Sequence, residues 1–176
     1  MSGGTRVRQR RGIKRGKNCA ERLLLAWLLL ECISIMENPA EQIELTEGGF
    51  AATPKILLLE DDENFQEIIK DFLESHSYKV VAVRNGVEGV REIMASDFEV
   101  IICDMLMPNL PGDMFYLAVE RMRPHLCDRF IFITGLRDNQ KINNFIRKVH
   151  GTMLAKPFQV DDLLEMIGFV QIKSAV

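Results

Sequence analysis

The chain has 176 residues, of which 47% are apolar and 27% charged, a balance that supports a buried core and excludes disorder throughout. Its net charge of −3 is unevenly spread: residues 1–20 carry seven Lys or Arg and no acid, leaving 15 basic against 25 acidic residues in the remainder. A folded part this acidic excludes a wholesale nucleic-acid binder, and four cysteines (Cys19, Cys32, Cys103, Cys127) without CxxC spacing argue against a disulfide framework or a zinc site and for a reducing, cytoplasmic setting.

In chain order, residues 1–53 read as a basic, disordered arm, a short apolar helix and an acidic linker containing Pro39, Gly48 and Gly49. As a helix, residues 23–36 would span about 21 Å at 1.5 Å per residue, short of the roughly 30 Å hydrocarbon core of a bilayer. The basic start and short apolar run imitate a secretory signal peptide, yet no small-x-small cleavage site follows. Three readings stay open: a surface or membrane-associating helix, a signal-like decoy, and translated sequence upstream of a true start at Met36. The arm itself reads as a solvated tail, with contact to nucleic acid or anionic lipid as the alternative.

From residue 54 the pattern becomes regular. Residues 56–59 form a first apolar run, ended by Glu60, Asp61 and Asp62. Phe65, Ile68, Ile69, Phe72 and Leu73 follow at i, i+3, i+4, i+7 and i+8, one face of an amphipathic helix. Residues 80–83 are a second strand, and Asn85–Gly86 turns into a helix bearing Val87, Val90, Ile93 and Met94. Residues 100–103 are a third strand ended by Asp104, 130–133 a fourth ended by Thr134, and 153–155 a fifth ended by Lys156 and Pro157. Helical patterns fill the gaps at 112–123, 138–149 and 160–170. Continuous apolar strands alternating with helices predict one α/β domain over residues 54–173, with a parallel sheet covered on both faces.

In open α/β sheets the working site lies beyond the carboxyl ends of the strands. Glu60, Asp61, Asp104, Thr134 and Lys156 all stand there, provided the strand order brings their strands together. Two carboxylates about 5 Å apart repel by roughly 3 kcal/mol at an effective dielectric near 20, so three need a cation or a proton. A hard divalent ion such as Mg²⁺ suits oxygen ligands and a phosphate. With a hydroxyl and an ammonium beside them, the residues suit phosphoryl transfer to or from a carboxylate. Singly each has a plain structural reading: Asp62 as helix N-cap, Asp104 before a turn, Thr134 as a strand end, Lys156 as a solvated rim residue. Together, at the ends of separate strands, they point to a site.

The runs Ile56-Leu57-Leu58-Leu59-Glu60-Asp61-Asp62-Glu63 and Ile101-Ile102-Cys103-Asp104-Met105-Leu106-Met107-Pro108, with the pairs Thr134-Gly135 and Lys156-Pro157, resemble the receiver domain of bacterial two-component response regulators. The spacings agree: 43 residues from Asp61 to Asp104, 30 on to Thr134 and 22 more to Lys156. The resemblance implies a flavodoxin-like, doubly wound five-stranded parallel sheet of order 2-1-3-4-5. It implies Asp104 as phosphoacceptor, taking a phosphoryl group from a sensor histidine kinase or a histidine-phosphotransfer protein. It further implies a Mg²⁺ site of Asp61, Asp104 and the Leu106 carbonyl, with Glu60 acting through water. Thr134 and Lys156 would hold the phosphoryl group, and the Lys156–Pro157 bond would be cis.

Met153 departs from the pattern: it stands where the family often has Tyr or Phe, which argues against an aromatic switch. Leu106 and Leu136, both apolar, are expected to hinder the hydrolytic water. No DNA-binding output domain is expected; output would be recognition by a downstream protein, with Asn139, Lys141, Arg147 and Lys148 on or near the responding face. The competing readings are a constitutive interaction module of the same fold, and a phosphatase with an Asp nucleophile, whose usual second Asp is replaced here by Leu106.

Overall fold

A computed structural model of the chain describes residues 53–174. The expectations for the arm, the apolar segment and the linker lie outside the described residues. Five short strands, β1 (Lys55–Leu59), β2 (Lys79–Val83), β3 (Val100–Asp104), β4 (Phe130–Thr134) and β5 (Thr152–Ala155), alternate with the helices α1 (Glu63–Ser75), α2 (Gly86–Ala95), α3 (Gly112–Met122), α4 (Gln140–Lys148) and α5 (Val160–Ser174). The strands pair in parallel in the order β2-β1-β3-β4-β5, the flavodoxin-like arrangement.

The apolar runs are continuous because both sheet faces are covered. Every residue of β3 and β4 is buried, whereas the edge strands β2 and β5 are partly exposed. On one face Ile56, Leu58, Ile102, Ile131 and Ile133 pack with Ile69 and Leu73 of α1 and Leu163, Ile167 and Val170 of α5. Strand alternation sends Phe130 and Phe132 to the other face, where Tyr116 of α3 and Phe145 of α4 meet them edge-on or tilted. Full burial of such a side chain contributes about 1.5–3 kcal/mol, so the sheet core holds the loops at its carboxyl edge.

Helix starts are fixed by side-chain caps at that same edge. Asp62 accepts from the amides of Asn64 and Phe65 at 3.0 and 3.1 Å, Asn85 from Val87 and Glu88, and Asn139 from Lys141 and Ile142. Such a cap contributes typically about 1 kcal/mol. Two features differ from the sequence reading. α5 runs on to Ser174, and a 3-10 turn, Pro124–Arg129, precedes β4. Arg123 and Arg129 bind that turn to the end of α2 and the segment after it, donating to the carbonyls of Ile93 at 2.9 Å and Phe98 at 2.6 Å. Contacts to carbonyls some thirty residues away have no periodic signature, which is why the turn was not foreseen.

Gly112 opens α3 directly against the end of β3. A Cβ there would sit 2.6 Å from the Asp104 carbonyl oxygen and 3.0 Å from the Met105 Cα, both backbone atoms that cannot yield. Gly112→Ala is therefore expected to destabilise the domain by about 1–3 kcal/mol, read as a lower urea midpoint at unchanged slope.

Candidate functional site

The strand order brings β1, β3, β4 and β5 side by side, so the residues following them share one rim. Glu60 is the first residue beyond β1. Its amide donates to Val83 O at 3.1 Å, and its side chain turns inward, 2% exposed, while Asp61 stays exposed at the mouth and Asp62 caps α1. The three consecutive acids thus have three separate fates. Asp104, 6% exposed, ends β3. Its Oδ1 accepts from the Leu106 amide at 2.8 Å and its Oδ2 from Lys156 Nζ at 2.6 Å.

Lys156 directly follows β5, and its bond to Pro157 is cis. Its amide donates to Thr134 O at 2.8 Å, and its ammonium bridges Glu60 Oε2 at 2.7 Å and Asp104 while lying 4.5 Å from the centroid of the Phe65 ring. Thr134 is fully buried, its Oγ1 accepting from the Leu136 amide at 3.1 Å. Leu106 and Leu136 stand exposed on the flanking loops, and Met153 is 40% exposed on the edge strand β5.

Carboxylate oxygens of Glu60, Asp61 and Asp104 all lie within 4.8 Å of one another. At that separation each pair repels by about 3 kcal/mol at an effective dielectric of 20. One ammonium cannot neutralise three carboxylates. Burial, reinforced by the charge of Asp104 and opposed by Lys156, pushes the Glu60 carboxyl up to about 7. Burial pulls the Lys156 ammonium down, but its hydrogen bonds to Asp104 and Glu60 outweigh this and hold it above its ordinary value. A cluster of hard oxygen donors in charge excess, partly buried and open on one side through Asp61, fits a hard divalent cation.

Sequence reasoning missed Gln66. Its Nε2 donates to the carbonyls of Glu60 at 2.7 Å and Val83 at 2.8 Å, pinning the backbone that turns Glu60 inward. Only its place on the first turns of α1 could have marked it, since an amide there reads as an ordinary polar helix residue.

Residues 56–168 match the family model for the response regulator receiver domain. The transcriptional regulatory protein CrdR of Helicobacter pylori is 31% identical over 109 residues, covering 62% of this chain and 51% of CrdR. The response regulator receiver protein CpdR of Brucella abortus is 26% identical over 113 residues, covering 64% of this chain and 92% of CpdR. The crystal structure of the chemotaxis protein CheY4 of Vibrio cholerae superposes with a TM-score of 0.62 at 25% identity, over 68% of this chain and 99% of that one. The chain therefore spans about half the length of CrdR and nearly all of CpdR.

The raised Glu60 carboxyl sets a pH dependence. Between about 4.5 and about 7 the metal-free folded protein binds a proton that the unfolded chain has released. Its contribution to stability is then present below 4.5 and lost as pH rises through 7. A divalent cation needs the ionised form, so its added stabilisation should grow over the same window. Thermal unfolding across that range, with and without Mg²⁺, is expected to show the two opposite slopes.

Proposed function

The chain belongs to the response regulator receiver family, and on that premise we propose that it is a stand-alone, cytoplasmic receiver that takes a phosphoryl group on Asp104 from a phosphohistidine of a sensor kinase or histidine-phosphotransfer protein. The observation that carries the reading is the setting of Asp104: buried at the end of β3, bound by Lys156 at 2.6 Å, with Glu60 and Asp61 within 4.8 Å. On this reading residues 54–173 form the receiver. The near-complete coverage of CpdR supports the stand-alone reading.

In the reaction an Asp104 carboxylate oxygen attacks phosphorus, the bond from phosphorus to the donor imidazole nitrogen breaks, and its electron pair stays on that nitrogen, which takes up a proton. The product is an aspartyl phosphate. Asp61, Asp104 and the Leu106 carbonyl would hold Mg²⁺, with Glu60 acting mainly through bound water. Bound there, Mg²⁺ would neutralise charge gathered between the acceptor and the phosphoryl oxygens. Lys156, already hydrogen-bonded to the acceptor, would take a phosphoryl oxygen, and the Thr134 hydroxyl, whose oxygen accepts from the Leu136 amide, keeps its proton to donate as a second partner. The protein acts as a phosphoacceptor in signalling rather than as a turnover enzyme.

Phosphorylation adds about −1.5 to −2 charge beside β4. The neighbouring stretch from Asn139 to Val160 contains no acid, and its Lys141, Arg147 and Lys148 are exposed on α4. A downstream protein would read the change of that face. Met153 leaves no ring on β5 to rotate, so the response runs through Thr134 and its loop.

Incubation with acetyl phosphate should add one phosphoryl group to the intact mass, only with Mg²⁺ and not in Asp104→Asn. Failure with acetyl phosphate, phosphoramidate and beryllofluoride alike would leave a phosphorylation-independent interaction module as the function. Leu106 and Leu136, 50% and 43% exposed beside the site, are expected to hinder the hydrolytic water. Leu136→Glu should then shorten the aspartyl phosphate lifetime several-fold, read by the decay of the mass shift.

A further inference from the structure

Lys156 reaches Glu60 and Asp104 from a short segment after the edge strand β5, where backbone support comes from one side only. Its amide is held by Thr134 O at 2.8 Å. The carbonyls on either side of it point instead to an arginine. Arg137, three residues beyond Thr134 and exposed, donates from a single guanidinium nitrogen, Nη2, to Ala155 O at 3.2 Å and Pro157 O at 3.1 Å. The loop that carries Arg137 is itself anchored, because Asn143 Nδ2 of α4 donates to the Arg137 carbonyl at 2.7 Å.

We propose that Arg137 is a positioning residue for Lys156: its guanidinium clamps the carbonyls flanking that lysine and joins the Thr134 loop to the Lys156 segment, so that the two groups meant for the phosphoryl oxygens are set together. The inference rests on Asp104 being the phosphoacceptor and adds how the donor pair around it is aligned. Arg137 touches neither the acceptor nor the carboxylate cluster, so it acts only through the segment it holds. A guanidinium suits the task, since its charge strengthens both hydrogen bonds and the two N–H bonds of one nitrogen point in fixed directions in its plane.

The test compares initial rates of phosphorylation by acetyl phosphate at saturating Mg²⁺ in the full chain. Arg137→Ala should slow the reaction about five- to tenfold, within the hundredfold that a misplacement of about 1 Å can cost. The thermal midpoint should stay within a few degrees of wild type, because Arg137 is exposed and its two hydrogen bonds lie at the surface. Arg137→Lys, which keeps donors for both carbonyls, should recover a large part of the rate. In a Lys156→Ala background, Arg137→Ala should have no further effect, as expected when one residue works only through the other. An undiminished rate in Arg137→Ala, or an equal loss in the Lys156→Ala background, would overturn the assignment while leaving the phosphoacceptor reading intact. A wild-type chain that takes up no phosphoryl group from any donor would instead remove that reading, and this inference with it.

Discussion

Three carboxylates gathered within 4.8 Å of one another against one ammonium are the constraint on which the rest of the structure depends. Left to themselves these groups would separate or protonate, and Glu60, with its carboxyl pushed up to about 7, is already partway to the second outcome. What keeps them together is the sheet beneath. The central strands β3 and β4 bury every residue, and the apolar side chains above and below them stabilise the domain far more than the charge cluster destabilises it. Charge excess concentrated at one edge of a stable scaffold is the usual arrangement of a working site, where local unfavourable energy is kept for a partner that relieves it.

Register then sets how the side chains meet. Leu59 pairs with Cys103, so Glu60 and Asp104 each occupy the next position along neighbouring strands. Asp104 pairs with Ile133 and Thr134 with Ala155, so the hydroxyl and the lysine each follow one step further along the rim. A slip of one residue in any of these pairings would turn the side chains to the opposite faces. The buried alternation of Ile56, Leu58, Ile102, Ile131 and Ile133 against α1 and α5 forbids such a slip.

The ion pair at the centre is positioned from both ends through the backbone. Gln66 pins the carbonyl of Glu60 to that of Val83, while Arg137 grips the carbonyls on either side of Lys156. Neither side chain reaches the carboxylates. Each restrains the peptide unit from which a charged side chain projects, the economical way to fix a long side chain such as lysine. The Thr134 loop belongs to the same network, because its Arg137 touches the β5–α5 segment and its Leu136 amide occupies the Thr134 hydroxyl.

The strands and their parallel pairing were legible in the sequence because a strand covered on both faces must be an unbroken apolar run, and 56–59, 100–103 and 130–133 are such runs. The amphipathic face of α1, the cap Asp62 and the turn into α2 at Asn85–Gly86 were legible because periodicity, capping and turns are relations among residues close along the chain. So were Glu60, Asp61, Asp104, Thr134 and Lys156 as candidates, each directly following an apolar run. Only the tertiary structure decided that Glu60 turns inward while Asp61 faces solvent, since two adjacent acids are equivalent until the turn after β1 is folded. It alone decided the roles of Gln66 and Arg137 and the 3-10 turn held by Arg123 and Arg129. Those side chains bond to carbonyls far along the chain or across a turn, and a main-chain carbonyl is the same group at every position, so no choice of residue there could announce them.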